Sequence, residues 1–142
     1  MRVLLTGGYG CIGSWILRNL LERSDQVWVY DLKEDTRRLR LLVTAEQLRQ
    51  IPFVQGDVTD LPRLRDVFLT HQITHVVHLA GLQVPVCRAD PLLGARVNVL
   101  GTLAVFGPPD KYRNGPLPDD VPLYPLTHYG VFKCCNEGNA QV

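Results

Sequence analysis

Tyr129 and Lys133 are the residues whose types and spacing best suit chemistry in this sequence. They stand four positions apart in the segment PLTHYGVFKCCNE (residues 125–137), where a helix is predicted to begin near Pro125. Positions i and i+4 share one face of a helix, so both side chains would meet the same ligand. An ammonium beside a phenol favours the tyrosinate, which lowers a pKa that is ordinarily about 10. The pattern therefore indicates acid–base chemistry, and its alternative is two surface residues on an ordinary helix.

A glycine-rich segment, TGGYGCIG, joins an apolar run at residues 2–6 to a helical pattern at residues 11–23. A side chain at Gly7 would obstruct a tight turn, and one at Gly10 would keep a pyrophosphate away from the backbone. Gly13 would let the helix pack closely against the strand. The free N–H groups and the positive end of the helix dipole would then face the phosphates. The segment predicts a dinucleotide-binding turn.

Asp31 ends the second apolar run, QVWVYD, and lies 24 positions after Gly7. An acid at this distance accepts hydrogen bonds from the adenosine ribose hydroxyls. Its charge repels a 2′-phosphate, so the sequence predicts NAD in preference to NADP. Arg37 and Arg38 weaken that preference, because flexible arginines nearby accommodate a phosphate.

Four apolar runs alternate with helical segments and must position these residues. The runs are RVLLTGG, QVWVYD, PFVQGD and THVVHLAG. The alternation predicts an α/β protein with a doubly wound parallel sheet and right-handed crossovers. The predicted helices cover residues 11–23, about 44–50 and 60–71, the last with Asp60 as N-cap and Pro62 in its first turn. The core stripe expected for the first helix comprises Ile12, Ile16, Leu17, Leu20 and Leu21.

The segment that follows residue 90 allows two interpretations. Asp90 and Pro91 have the types of an N-cap and a first helical residue, which predicts a helix. Residues 98–107 are also apolar and β-branched enough for a strand, and periodicity does not decide between them. The Pro- and Gly-rich stretch that follows predicts a long loop, of a length that is usually functional or disordered.

Length, charge and cysteine usage limit the class of protein. The chain has 142 residues and a net charge of +1, which predicts one domain and no partner among nucleic acids. No stretch is long and apolar enough for a membrane span, and the N-terminus lacks the features of a signal peptide. The four cysteines form no C-x-x-C pair, so buried free thiols and no metal are expected. We expect a soluble cytoplasmic protein with no membrane partner.

Six short motifs occur in one order along the chain: TGGYGCIG, YDL at 30–32, GDVTD at 56–60, HLAG at 78–81, NVLGT at 98–102 and YGVFK at 129–133. As a set they resemble the extended short-chain dehydrogenase/reductase family, in particular its NAD-dependent epimerase/dehydratase group, which acts on nucleotide sugars. The resemblance implies a Rossmann-type fold, NAD as the cofactor and a nucleotide sugar as a further partner.

The resemblance also implies a cofactor site. Backbone around Gly10, Cys11 and Ile12 would hold the pyrophosphate, and Asp31 the adenosine ribose. Asp57 and Val58 would border the adenine, and the segment 79–81 would run along the cofactor. The cofactor-binding residues implied are Gly7, Gly10, Cys11, Ile12, Gly13, Asp31, Asp57, Val58, Leu79, Ala80, Gly81 and Lys133.

In this family the tyrosine and lysine of the last motif are catalytic. Tyr129 would be the general acid/base, and Lys133 would hold the nicotinamide ribose and lower the pKa of Tyr129. Asn98 stands where the family has a helix asparagine that supports the active site. Three other residues are expected to have no catalytic role, His78 as a strand residue and Trp15 and Trp28 as packing residues.

Two departures from the family pattern shape the functional hypotheses. NVLGTLAVF runs directly into GPPDKY, so a strand and the catalytic serine are expected to be missing, and no serine lies between residues 25 and 142. The sequence also stops just after YGVFK, before the further strands and substrate domain of the family. We therefore predict a single truncated NAD(P)-binding domain over residues 1–142, with about four to five strands. Its exposed strand edge and 46% hydrophobic content favour a homo-oligomer.

Three hypotheses about activity follow. The chain could be an NAD-dependent epimerase, dehydratase or dehydrogenase-like enzyme assembled from small subunits. It could be a non-catalytic module that binds NAD or another adenine nucleotide. It could also be a fragment of a longer enzyme.

Overall fold

The computed structural model describes residues 1–106 and residue 135. The long loop and the last helix predicted from the sequence, with Tyr129 and Lys133, lie outside the described residues. The chain divides into two compact units, Met1–Ala80 and Gly81–Val142, and each is described by itself below.

The first unit is built around a parallel sheet flanked by helices. Its elements are β1 (Arg2–Thr6), α1 (Cys11–Glu22), β2 (Gln26–Asp31), a 3₁₀ turn (Leu39–Leu41), α2 (Ala45–Arg49), β3 (Phe53–Gln55), α3 (Leu61–Thr70) and β4 (His75–His78). The strand order is β3-β2-β1-β4, and all three pairings are parallel. The predicted Rossmann-type α/β sheet is confirmed, with four strands in the described part of the chain.

Both faces of the central strands are buried, as the continuous apolar runs predict. Val3 and Leu5 of β1 join Val27 and Val29 of β2 in one core cluster, which includes Leu17 and Leu20 of α1. Successive side chains of a strand point to opposite faces, so Leu4, Thr6 and Tyr30 lie on the other face. All three are also completely buried. Burial on both faces explains why these strands show no polar–apolar alternation.

Helix starts in this unit follow the local signals in the sequence. Thr44 and Gln47 form a capping box at α2, with each side chain bonded to the other residue's backbone. Asp60 accepts a hydrogen bond from the N–H of Arg63 at the start of α3, where Pro62 occupies the first turn. The cap and the proline predicted for α3 are confirmed.

Helix α1 differs from its prediction on its exposed face. Leu17 and Leu20 are buried as expected, but Ile12 is 66% exposed and Trp15 is 51% exposed. Ile12 and Trp15 are three positions apart and share the outer face of the helix. The expectation that Ile12 joins the core and that Trp15 packs was therefore wrong. Instead, the Arg18 guanidinium lies over the Trp15 ring, 5.6 Å from the ring centroid.

Trp28 does pack as expected. It stacks on the His71 ring at 5.2 Å between centroids, and the Arg2 guanidinium lies 5.0 Å from its ring. Arg2 is held there because its Nε donates to the His71 carbonyl.

The second unit is helical in its described part. Its elements are α4 (Val84–Ala89), α5 (Pro91–Ala95), a π-helical turn (Arg96–Leu100) and α6 (Gly101–Phe106). Asp90 caps α5 through the N–H of Leu93, as predicted. Residues 98–106 are helical, so the strand interpretation of this segment was wrong. Helix α4, with Pro85 in its first turn, was not predicted, because its six residues are too few to show a period.

The cysteines are free in the described residues but not uniformly buried. Cys87 is buried, whereas Cys11 and Cys135 are exposed, so the expectation of buried thiols was wrong for these two. Cys11 is exposed because it begins α1 at an open helix end. Among residues 1–106 and 135, no group of three or more metal-ligating side chains occurs. In the same residues, none of the helices has the length and apolar character needed to cross a membrane.

Candidate cofactor site

The glycine turn after β1 is fixed by a left-handed residue and a close approach. Gly7 has φ +67°, and its N–H donates to the Tyr30 carbonyl at 3.1 Å. A Cβ at Gly7 would lie 2.6 Å from the Ala80 nitrogen and 2.8 Å from the Leu79 carbonyl carbon. Both conditions require glycine, so the tight turn expected at Gly7 is present.

The N-terminus of α1 is open toward solvent. Gly10 is the N-cap residue, supplies no side-chain cap, and the first turn carries no acid. The first hydrogen bond of the helix joins the Ser14 N–H to the Gly10 carbonyl at 3.0 Å, and the Ser14 hydroxyl donates to the same carbonyl at 2.9 Å. Cys11 and Ile12 are exposed, and their N–H groups precede the first helical bond. This helix end presents donors and a positive dipole to an anion.

Gly13 places α1 directly on the turn. A Cβ there would lie 2.7 Å from the Gly8 Cα, whereas a Cβ at Gly10 would meet only the Gly7 carbonyl oxygen, at 3.2 Å. Packing of the protein therefore requires glycine at position 13 and nearly tolerates a side chain at position 10.

Asp31 is the last residue of β2 and is half-buried. Its Oδ1 accepts the Leu32 N–H at 2.8 Å. Burial raises the pKa of Asp31, and the neighbouring charge of Asp35 adds to the increase, while backbone N–H groups oppose it. Hydrogen bonds from hydroxyl donors stabilise a carboxylate that burial has partly dehydrated.

Tyr9 lies beside this carboxylate and was not recognised from the sequence. Its side chain is buried, and its ring lies 5.8 Å from that of Phe53. Burial raises the pKa of Tyr9 to about 12, with the charges of Glu34 and Asp31 adding to the increase. Tyr9 therefore stays a neutral phenol, and it anchors the glycine turn in the core.

Asp57 and Val58 follow β3, and hydrogen bonds and burial hold them in place. Asp57 Oδ1 accepts the N–H and the hydroxyl of Thr59, each at 2.9 Å. The Asp57 carbonyl accepts the Tyr30 hydroxyl at 2.9 Å. Val58 is buried. The loop after β3 is thus tied to the end of β2.

Thr6 connects β4 to the glycine turn and was also missed. Its carbonyl accepts the Leu79 N–H at 3.0 Å, and its hydroxyl accepts the Ala80 N–H at 3.3 Å. The same hydroxyl lies 2.6 Å from His78 Nδ1. A threonine at the end of an apolar strand is the signal that the sequence offered. His78 ends β4, which confirms its place in the strand.

Asn98 organises the second unit. It is fully buried, its Oδ1 accepts the Leu82 N–H at 2.7 Å, and its Nδ2 donates to the Leu82 carbonyl at 2.9 Å. Nδ2 also lies 3.4 Å from Cys87 Sγ. The π-helical turn around Asn98 inserts an extra residue into the helix, a feature often found at functional sites. Leu82 follows the exposed Gly81 in sequence, so Asn98 holds the backbone immediately after Gly81.

The structure brings most of the predicted cofactor residues to one edge of the first unit. The glycine turn, Asp31, Asp57 with Val58, and Leu79 with Ala80 each follow the carboxyl end of a strand. In a parallel sheet these ends share one edge, where open α/β folds bind ligands. Gly81 belongs to the second unit, and Tyr129 and Lys133 lie outside the described residues.

Comparison with known proteins identifies the family. The profile of the GDP-mannose 4,6 dehydratase family matches residues 4–113. A UDP-glucose 4-epimerase of Erwinia amylovora is 38% identical over 109 residues, which is 75% of this chain and 32% of that protein. A UDP-glucose 4-epimerase of Klebsiella pneumoniae is also 38% identical, over 72% of this chain and 76% of that protein.

Solved structures give the same result. The UDP-glucose 4-epimerase of Thermus thermophilus in complex with NAD has a TM-score of 0.75 and 28% identity, covering 97% of this chain and 49% of that one. The Bordetella bronchiseptica enzyme WbmG in complex with NAD and UDP has the same score and identity, covering 99% and 49%.

The chain thus spans about a third of the Erwinia protein and about half of each of these solved chains. The range matched by the family profile, residues 4–113, covers the glycine turn, Asp31 and the strand ends described above. The chain belongs to the extended short-chain dehydrogenase/reductase family, within its NAD-dependent epimerase/dehydratase group.

Proposed function

We propose that this chain binds NAD through its adenosine and pyrophosphate groups. The observation that carries the proposal is the open N-terminus of α1, which lies on the same sheet edge as the half-buried carboxylate of Asp31. The donors suit a pyrophosphate, and the carboxylate suits a ribose diol. The NAD complexes of the Thermus and Bordetella relatives support the same cofactor here.

Each residue has a role in the proposed complex. The N–H groups around Gly10, Cys11 and Ile12 hold the pyrophosphate, with Gly7 and Gly13 shaping the turn. Asp31 accepts the ribose hydroxyls. The remaining contacts comprise Asp57 and Val58 at the adenine, Leu79, Ala80 and Gly81 along the cofactor, and Lys133 at the nicotinamide ribose. NADP binds more weakly, because the carboxylate of Asp31 repels its 2′-phosphate.

We extend the proposal to oxidoreductase-type chemistry on a nucleotide sugar. Bound NAD supplies the hydride acceptor for a sugar carbon. Tyr129, as the phenolate, takes the proton from the hydroxyl on that carbon and returns it in the reverse step. The Lys133 ammonium stabilises that phenolate and so lowers its pKa. UDP-glucose is the first substrate to test, because relatives at 38% identity are UDP-glucose 4-epimerases.

A second candidate is an NAD or adenine-nucleotide binding module without turnover. It is supported by the glycine turn, Asp31 and the Asp57–Val58 segment of the first unit, which suit the adenosine and pyrophosphate groups. We also propose that residues 1–142 form one NAD(P)-binding domain, which assembles as a homo-oligomer in the cytoplasm. Association would cover exposed apolar side chains such as Leu41 and Leu92, which are 84% and 80% exposed.

The test is calorimetric titration with NAD, ADP-ribose and NADP. We expect NAD and ADP-ribose to bind with similar Kd, and NADP at least about tenfold more weakly. Asp31→Ala should weaken NAD about tenfold or more, because hydrogen bonds to a charged group contribute about 1.5–3 kcal/mol. Asp66→Ala, at an exposed aspartate of α3, is the matched control and should bind like the wild type.

The same titration separates the two candidates. NAD binding clearly tighter than ADP-ribose, together with interconversion of UDP-glucose that Tyr129→Phe abolishes, supports the enzyme. Equal binding without turnover supports the module. Absence of binding by all three nucleotides would refute the proposed function.

A further inference from the structure

The loop after β2 contains a closed arginine–carboxylate pair. Arg37 Nε donates to Asp35 Oδ1 at 2.8 Å, and Arg37 Nη2 donates to Asp35 Oδ2 at 2.6 Å. The Arg37 N–H also donates to Oδ1, at 3.3 Å. Two parallel bonds between a guanidinium and a carboxylate are the strongest geometry that this pair can adopt. The Asp35 N–H in turn donates to the Lys33 carbonyl at 3.0 Å, which fixes the acid in the loop.

This pair occupies a position that matters for the cofactor. Arg37 lies six residues after Asp31, in the loop where an arginine can accommodate the 2′-phosphate of NADP. Its planar fork suits a phosphate as well as a carboxylate, so Asp35 and a phosphate compete for the same donors. In the structure, the Arg37 donors are bonded to the Asp35 carboxylate.

The negative charge of Asp35 also disfavours the binding of a 2′-phosphate. The Arg37 guanidinium lowers the pKa of Asp35 to about 2, so the acid is ionised at every working pH. That charge makes a small contribution to the raised pKa of Asp31, after burial. A 2′-phosphate placed beside Asp31 would experience the same repulsion.

We propose that Asp35 is a cofactor-specificity residue, which disfavours NADP by engaging the Arg37 guanidinium that a 2′-phosphate would otherwise bind. The inference rests on the proposed binding of NAD and adds a second determinant to Asp31. In this arrangement Arg37 does not offset the NAD preference, because its guanidinium is already engaged.

The expected change in NADP affinity follows from the solvent exposure of the Arg37 and Asp35 side chains. The Arg37 side chain is 85% exposed and that of Asp35 is 37% exposed. Exposed ion pairs change an equilibrium by up to about fivefold. Loss of the carboxylate both frees Arg37 and removes one negative charge, so we expect the affinity for NADP to rise about five- to tenfold.

The experiment compares Asp35→Asn with the wild type by calorimetry, using NAD and NADP at low and physiological salt. We expect Asp35→Asn to raise the affinity for NADP about five- to tenfold and to change the affinity for NAD less than about twofold. The double variant Asp35→Asn/Arg37→Gln should lose most of the gain, since the freed arginine is absent. Arg65→Gln, at an exposed arginine of α3, is the matched control and should leave the gain intact in the Asp35→Asn background.

The outcomes separate this inference from the proposed function. Unchanged NADP affinity in Asp35→Asn, with NAD binding intact, overturns the inference alone. A gain that persists fully without Arg37 also overturns it, because the effect is then simple charge removal. Failure of the wild type to bind NAD overturns the proposed function and this inference together.

Discussion

Replacement of Gly7 by alanine gives the sharpest test of how the cofactor turn is built. Gly7 has φ +67°, a region that costs alanine about 1 kcal/mol relative to glycine. The new Cβ would also lie 2.6 Å from the Ala80 nitrogen and 2.8 Å from the Leu79 carbonyl carbon. Ordinary carbon contacts are about 3.5–4 Å, so the backbone after β4 must move by about 1 Å.

That movement is opposed by the hydrogen bonds that Thr6 makes to the Leu79 and Ala80 N–H groups. Overpacking of this kind costs about 1–3 kcal/mol. The sum predicts that Gly7→Ala lowers the free energy of unfolding by about 2–4 kcal/mol. At about 3 °C per kcal/mol for a chain of this size, Tm should fall by roughly 6–12 °C.

Gly10→Ala is the control that separates stability from binding. Gly10 has φ −67°, and its Cβ would meet only the Gly7 oxygen, at 3.2 Å. We expect a loss of stability of about 1 kcal/mol or less, the scale of a changed N-cap residue. The affinity for NAD should fall at least about tenfold, because the methyl group would lie where we propose that the pyrophosphate approaches the backbone.

Urea unfolding measured by circular dichroism gives the stability of both variants, and calorimetry with NAD gives their affinity. A Gly7→Ala protein within about 1 kcal/mol of the wild type would refute the conclusion that turn geometry and close approach require glycine. A Gly10→Ala protein that binds NAD normally would contradict the pyrophosphate placement.

Three further predictions concern titration and the buried asparagine. Burial raises the pKa of Asp31, while the ribose hydrogen bonds that we propose would favour its carboxylate, so the affinity for NAD should be full above the raised pKa and fall below it by up to about tenfold per pH unit. Calorimetry between about pH 4 and 7 checks this, and Asp31→Asn should show a flat profile. The pKa values of Tyr9 and Tyr30 are raised to about 12, so the folded state keeps two protons that the unfolded chain loses above a pH of about 10. Stability should fall by about 1.4 kcal/mol per pH unit per tyrosine between about pH 10 and 12, and Tyr30→Phe should halve that slope in urea titrations. Asn98→Ala leaves the Leu82 N–H and carbonyl without their side-chain partners, so we expect a loss of about 2–4 kcal/mol in urea unfolding, and a loss below about 1 kcal/mol would contradict the inferred clamp.

Features that depend on neighbours along the chain were predictable. The apolar runs indicated the four strands, and the residue types of Asp60 and Asp90 indicated two helix starts, because a cap bonds to a backbone group three residues away. The glycine turn and Asp31 were predictable for the same reason, since strand, turn and helix are contiguous. The alternation of strands and helices also indicated the parallel sheet.

Predictions failed where a local pattern has two solutions. Residues 98–106 suit a strand or a helix, and only packing of the second unit selects the helix with its π-helical turn. Ile12 and Trp15 are apolar but lie on the outer face of α1, a choice that depends on which side of the helix meets the sheet. Six residues were too few to reveal α4.

The family motifs, the order of strands and helices, and the residue types available for NAD could all be read from the amino-acid sequence. The three-dimensional fold was needed to show which strand ends share an edge, why Gly7 must be glycine, and how Thr6 and Tyr30 tie loops that lie far apart along the chain. The Tyr30 hydroxyl bonds to a residue 27 positions away and the Thr6 hydroxyl to one 74 positions away, and no periodicity or cap rule reaches that far. The pairing of Arg37 with Asp35 spans only two residues, yet the residue types left it open, because two flexible charged side chains adopt one geometry only when the folded loop holds them in place.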